Sequence, residues 1–283
     1  MACLAATWLI WGSTYLAIRF ALRGFAPFFL MATRFLCAGG LTMAALMVRG
    51  AKLPSLREWR NAAVVGALML GGGMGATAFA EQTIASGLVV VYIAITPLLM
   101  ILLNWGFGLR PRGSEITAVS IGLVGVIVLA GGPQMQASPA GLAAITLACC
   151  CWSLGSLLSQ RGFPLAAGAA GFASEMLCGG VLLLVLSAAR GEPWVGGTDP
   201  AAWLAWAYLV VFGSLIAFNA YMLLLARTST GLATSYSLVN PLVALVLGVT
   251  LGHERVGGSD WIAAAVVMAS VGLLFRGRLR SNS

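Results

Sequence analysis

Charge is scarce in this chain of 283 residues: Asp, Glu, Lys and Arg make up only 8%, hydrophobic residues make up 60%, and the mean hydropathy is +0.97. No water-soluble domain can cover its surface from that inventory, so the solvent of this fold is a lipid bilayer. Histidine is reduced to His253, in a GHERVGG stretch that lacks the second histidine of a zinc-protease helix. No Gly-Lys-Ser/Thr occurs, which removes the P-loop and with it ATP-driven pumping. Neither aspartate, Asp199 nor Asp260, lies in the interior of an apolar run, which excludes an intramembrane aspartyl protease. A serine hydrolase would have to take its base from His253 at a membrane boundary. The chain is therefore expected not to be an enzyme and to need no cofactor.

Long polar stretches are missing too. The longest connections lie around 52–60 and 191–200, too short for a domain outside the membrane. The opening MACLAATWLIWG has no basic leader region and no small-residue cleavage site, so the first apolar run reads as a mature helix. The six cysteines (Cys3, Cys37, Cys149, Cys150, Cys151, Cys178) all sit in apolar runs, in neither metal-ligand spacing nor a paired framework. They read as small packing residues, and no metal is expected.

What is present is a series of apolar runs of about 20 residues, the length of a membrane-spanning helix. They fall at roughly 2–21, 28–48, 61–80, 86–105, 115–131, 140–160, 169–189, 203–225, 231–251 and 260–275, which makes ten spans. With the N-terminus inside, the inner loops collect Arg49, Lys52, Arg57, Arg60, Arg110, Arg112, Arg161, Arg227, Arg276, Arg278 and Arg280. The outer loops receive Arg19, Arg23, Arg190 and Arg255. That bias predicts two cytoplasmic termini. The net charge of +8 then reflects topology and contact with anionic lipid headgroups, and nucleic acid is not an expected partner. No obligate protein partner is evident.

The chain repeats itself. SGLVVVYIAITPL at 86–98 returns as TGLATSYSLVNPL at 230–242, and Gly87, Leu88, Tyr92, Pro97, Leu98, Leu103 and Gly108 map onto Gly231, Leu232, Tyr236, Pro241, Leu242, Leu247 and Gly252. At an offset of 141, Trp11, Leu16, Ala26, Ala32, Leu36, Cys37, Gly39, Leu41, Arg49 and Gly50 match Trp152, Leu157, Ala167, Ala173, Leu177, Cys178, Gly180, Leu182, Arg190 and Gly191. The predicted architecture is all-α: two homologous five-helix repeats, 1–135 and 136–283. Because five is odd, the second enters the membrane from the opposite side, an arrangement that recurs in secondary transporters.

These residues resemble the EamA-type drug/metabolite transporters: Trp11-Gly12-Ser13 in span one, Pro27 followed by Arg34 in span two, Pro97 and Pro241 within spans four and nine, and Gly252-x-Glu254 after span nine. The likeness covers essentially the whole chain. The first half departs from it with Gly108-Leu109-Arg110 where the glycine-glutamate pair would fall. The resemblance implies outward movement of small organic metabolites across a bacterial inner membrane, through a cavity bounded by spans one, three, four, six, eight and nine. Among the branches the chain is most similar to the YddG-type aromatic amino-acid exporters. The alternatives are a proton-coupled efflux carrier of drugs or other metabolites, and, in a different class, a channel or a non-transporting scaffold.

Each proline leaves a carbonyl four residues back, at Ile93 or Ser237, without its helical partner, and membranes tolerate that only beside polar groups or a watery space. Thr96 and Asn240 precede the two prolines. The kinks either line a central cavity or are packing features. Trp11 and Tyr15 share a stripe of span one, as Trp152 and Ser156 do on span six, and each tryptophan faces either substrate or core. The candidate lining is Trp11, Tyr15, Tyr92, Thr96, Trp152, Ser156, Asn219, Tyr236 and Asn240. Arg34 and Glu175 are the charges deepest in spans, and they occupy the same repeat position with opposite sign. A charge at that depth is a functional candidate, with snorkelling or the fixing of a helix pair as the alternative for Arg34. Glu81 and Gln82, near the end of span three, are candidates for the exit.

Overall fold

The computed structural model of the chain describes residues 2–85, 89, 92–108, 113, 116–117, 120–122, 124–125, 138–217, 220–221, 236, 239–240, 243, 246–247, 250–251 and 257–279. Among the described residues every element is helical. The helices are α1 (Ala2–Ala21), α2 (Pro27–Val48), α3 (Leu56–Ala80), α4 (Thr96–Gly106), α5 (Pro139–Arg161), α6 (Ala169–Ala189), α7 (Pro200–Ile216) and α8 (Gly258–Leu279). Four stretches, Pro27–Val48, Leu56–Ala80, Pro139–Ser159 and Ala169–Ala189, are long and apolar enough to cross a membrane, and Pro200–Ile216 and Trp261–Ser270 are shorter apolar helices.

Local chemistry explains where these helices start. Proline occupies the first turn of α2, α4, α5 and α7, where a missing N–H has no helical partner to lose. Ser138 and Asp199 cap α5 and α7, accepting from Gly141 N at 3.0 Å and Ala201 N at 2.9 Å. α3 begins five residues before the expected apolar boundary, because Ser55 and Glu58 form a capping box in which Ser55 N donates to Glu58 at 2.7 Å. α2 has no cap of its own. Glu192, in the loop after α6, supplies one, accepting from Phe29 N at 2.9 Å and Phe28 N at 3.3 Å.

Two helices widen into π-helix: α3 over Ala67–Gly75 and α7 over Leu209–Ile216, segments whose starts lie 142 residues apart and whose ends lie 141 apart. The packing is matched in the same way. α2 and α6 run against each other along most of their length, α1 packs on α7 while α5 packs on α3, and α2 touches the π segment of α7 while α6 touches that of α3. The core between them is Ile18, Leu30, Met31, Phe35, Leu70, Leu183 and Leu209, all fully buried.

Where lipid replaces water, helices associate through close packing, and small residues permit it. A methyl on Gly72 would strike Cys151, one on Gly75 would strike Leu183, and one on Gly66 would press on the backbone of Glu175 and Gly179. The glycine run of α3 is thus a packing surface for α5 and α6. At the turn joining α1 to α2, Gly197 N donates to Gly24 O, Trp203 Nε1 donates to Gly197 O at 2.9 Å, and the Trp203 ring meets Phe25 edge-on at 4.7 Å.

Candidate functional site

The Trp11-Gly12-Ser13 run of α1 makes three separate attachments. Trp11 donates its indole N–H to the carbonyl of Gly213, in the π segment of α7, at 3.3 Å. Gly12 faces Asn240 and Val243, where a methyl would come within 2.7 Å of Val243 Cβ. Ser13 shares a 2.7 Å hydrogen bond with the Tyr208 hydroxyl. One helical turn therefore joins α1 to α7 and to the helical residues around 240.

Aromatic rings gather at this junction. Trp11 lies 4.6 Å from Tyr236 and 5.2 Å from Tyr221, and the two tyrosines are 5.7 Å apart, edge to face. Edge-to-face and tilted contacts at these separations match the electrostatic preference of aromatic rings. Phe172 of α6 packs on the same group. Asn240 is buried beside it and, with its carboxamide nitrogen turned toward the carbonyls, donates to Trp8 O at 3.0 Å and Tyr236 O at 3.1 Å.

Tyr15, one turn further along α1, packs on a second cluster that contains Tyr92, Ala76, Ala80, Ile84, Ile145 and Ala148. The helix carrying Tyr92 is interrupted by a turn at Ala94 and Ile95, and α4 restarts at Thr96, so Pro97 stands in a first turn instead of mid-helix. The break is satisfied from both sides: Tyr92 O accepts from Ile95 N at 3.1 Å and from Cys149 Sγ at 3.8 Å, and Thr96 O accepts from Ser153 Oγ at 3.4 Å. On the same α5, a methyl on Gly73 would sit 3.2 Å from Trp152 Cε3, and Ser156 Oγ lies 3.9 Å from Met69 Sδ. Trp152 thus meets the π segment of α3 as Trp11 meets that of α7.

The charges separate into two groups. Arg34 is 1% exposed, with Nε donating to Ser214 Oγ at 3.0 Å, one terminal nitrogen 3.8 Å from Met31 Sδ, and the guanidinium carbon 5.0 Å from the Phe35 ring centre. Glu81, 4% exposed at the end of α3, and Tyr15 lie within electrostatic reach of that guanidinium and of each other. Gln82 beside Glu81 is exposed. Glu175 is 2% exposed in α6, and Cys178 lies within its electrostatic reach. Asn219, Pro241 and Gly252-x-Glu254 lie outside the described residues.

The structure adds Gly213, Ser214, Tyr208 and Tyr221 to the candidates. Hydropathy gave no sign of them, although Gly213 falls opposite Gly72 at the 141 offset, so aligning the two halves through the glycine run would have marked it. Among the described residues no group of three His, Cys, Asp or Glu side chains is placed to hold a metal ion.

The model of the EamA-like transporter family matches residues 1–131 and again 139–276, and the chain belongs to that family. It is 40% identical to the uncharacterized inner membrane transporter YedA of Escherichia coli (strain K12) over 276 residues, 97% of this chain and 90% of YedA. It is 26% identical to protein PecM of Dickeya dadantii (strain 3937) over 268 residues, 93% of this chain and 87% of PecM. A protein of known crystal structure shares the fold at a TM-score of 0.69 and 23% identity, with 100% of this chain and 98% of that one covered. The chain is a membrane transporter, multi-pass and of the bacterial inner membrane.

Proposed function

We propose that this transporter exports small organic metabolites, amino acids with aromatic side chains foremost, by alternating access through a central cavity between two inverted five-helix repeats with both termini cytoplasmic. The observation that carries the reading is the junction where Trp11, Tyr221 and Tyr236 converge beside Asn240: aromatic faces next to a carboxamide, contributed by helices from both halves of the chain. Flat rings with a few placed polar groups suit a small aromatic ligand. The matched pairing of α1 with α7 and α5 with α3 supports the repeat, because carriers of this kind place their sites at the interface between repeats. Tyr15, Tyr92, Thr96, Trp152 and Ser156 form the rest of the proposed lining, with Asn219 added from span eight. Glu81 and Gln82 stand toward the exit. Pro97 and Pro241 set the bends, and Arg34 and Glu175 are the charges at depth.

The test is uptake of labelled amino acids, nucleosides and sugars into proteoliposomes. Saturable exchange of aromatic amino acids is expected. Exchange of nucleosides or sugars alone would overturn the substrate class, and unsaturable flux with measurable conductance would make the protein a channel.

A further inference from the structure

Helices α2 and α6 end in the same turn. Gly50 N donates to Met47 O and Ala51 N to Leu46 O, both at 3.0 Å, and at the 141 offset Gly191 N donates to Ala188 O and Glu192 N to Ser187 O, again at 3.0 Å. The two glycines have left-handed φ angles of +67° and +66°, so both helices close with a Schellman motif. After that shared turn the two connections part.

The connection after α6 is fastened to protein. Glu192 caps α2, Gly197 N donates to Gly24 O, and the Arg190 guanidinium carbon lies 5.8 Å from the ring centre of Phe28 and 5.3 Å from that of Phe79. The connection after α2 has no such straps. Among the described residues, every hydrogen bond of residues 52–58 is local, the Ser55–Glu58 cap included, and the first long-range bond comes at Trp59, whose carbonyl accepts from Cys178 Sγ at 4.0 Å.

Charge separates the two as well. Residues 49–60 carry Arg49, Lys52, Arg57 and Arg60, all exposed, against one carboxylate, Glu58, which is engaged in the cap; residues 190–201 carry Arg190 against Glu192 and Asp199. Apolar exposure does not distinguish them, since Trp194 and Val195 stand out from one loop as Val48, Leu53 and Leu56 do from the other. The capping box starts α3 five residues ahead of its apolar run. At the rise of an α-helix that projects about 8 Å, comparable to the lipid headgroup layer of about 5–8 Å on each side of the hydrocarbon.

We propose that residues 49–60 are a docking segment for anionic phospholipid, whose headgroup phosphates take Lys52, Arg57 and Arg60 while Val48, Leu53 and Leu56 enter the acyl boundary. Lipid thereby supplies the fastening that the repeat-related loop takes from protein. The net charge implies contact with such lipid by the chain as a whole; the structure assigns it to one segment and gives that contact the task of holding a loop. A cation near an anionic membrane surface is worth about fivefold in affinity, so a few of them with an apolar anchor suffice for a specific contact. On the orientation proposed above the segment lies in the inner leaflet, but the surface itself does not depend on the substrate reading.

The experiment uses the full chain reconstituted into vesicles of phosphatidylcholine alone or of phosphatidylcholine and phosphatidylglycerol in equal parts, with backbone hydrogen exchange as readout. Both leaflets carry the same lipid, so the result is independent of orientation and of transport. Amides of residues 51–60 are expected to exchange about fivefold more slowly in the anionic vesicles, an effect of at least one cation's worth. Those of 190–201 meet the same surface potential and should change far less. The selective protection is expected to vanish in the triple variant K52Q/R57Q/R60Q and to persist in R57K/R60K. Equal exchange of 51–60 in the two lipids overturns the proposal, and so does an equal slowing of both segments, because either result is read on the parent without any variant. Protection that survives in the folded triple glutamine variant overturns it too, since the cations would then not be the contact.

Discussion

The indole N–H of Trp11 reaches the carbonyl of Gly213 at 3.3 Å, across 202 residues of sequence. π-helix leaves carbonyls poorly matched to the regular ladder and recurs at functional sites. Here the π segment of α7 presents one of its carbonyls to α1 and, one residue later, presents Ser214 to Arg34 on α2. Three helices are referenced to two adjacent residues.

Trp11→Phe keeps a ring in the aromatic group and deletes the donor. A hydrogen bond of this kind is worth about 1 kcal/mol net, so a modest fall in melting temperature is expected, with a larger proportional loss of exchange. Thermal melts and flux on the same preparation check it; unchanged flux at a lowered melting temperature would assign the bond to the fold alone.

Gly213→Ala forces a methyl to 3.0 Å from a terminal nitrogen of Arg34 and 3.1 Å from Thr14 Cγ2. Overpacking a well-filled interior costs about 1–3 kcal/mol. Gly40→Ala, with nothing within 4 Å of the added methyl, is the control and should melt with the parent or slightly above it. Equal melting of the two variants would show that the helices move apart at no cost.

Glu192→Ala removes the cap on α2. With Ala26 offering no side-chain acceptor and two N–H groups released, the loss should be about 1 kcal/mol, in the range of helix caps generally. Hydrogen exchange at Phe28 and Phe29 reads it directly, and protection equal to the parent would mean that another group takes over the cap.

Glu175→Gln keeps shape and removes a proton-binding group from α6. Downhill transport is the expected mechanism, because a proton relay ordinarily has more than one titratable group at depth and α6 carries no other acidic or histidine residue. An imposed pH gradient should then leave parent flux unchanged. Acceleration in the parent that disappears in the glutamine variant, with exchange between loaded vesicles retained, would establish coupling.

Reporter fusions after Arg276 and in the loop of Lys52 should both score cytoplasmic if lysine and arginine placement sets orientation. A periplasmic C-terminus would break the five-plus-five inversion.

Much of this protein is legible in its sequence because the governing physics is local. Hydropathy sets the solvent, apolar run length sets the ends of α1, α2, α5 and α6 to within a residue, and the capping box Ser55-Leu-Arg-Glu58 marks the start of α3, although apolarity alone placed that start at residue 61. The ordered motifs on one chain also pointed to the family. Tertiary structure alone decided what those helices bring together. Nothing in spacing pairs Trp11 with Gly213, assigns Glu192 to α2, restarts a helix at Thr96 so that Pro97 falls in its first turn, or brings Arg34, Tyr15 and Glu81 into one electrostatic neighbourhood. The reason is physical: apolarity says that a face is buried but is nearly the same for every partner, while the choice of partner depends on how ridges, glycine gaps and single hydrogen bonds interlock once the helices are side by side.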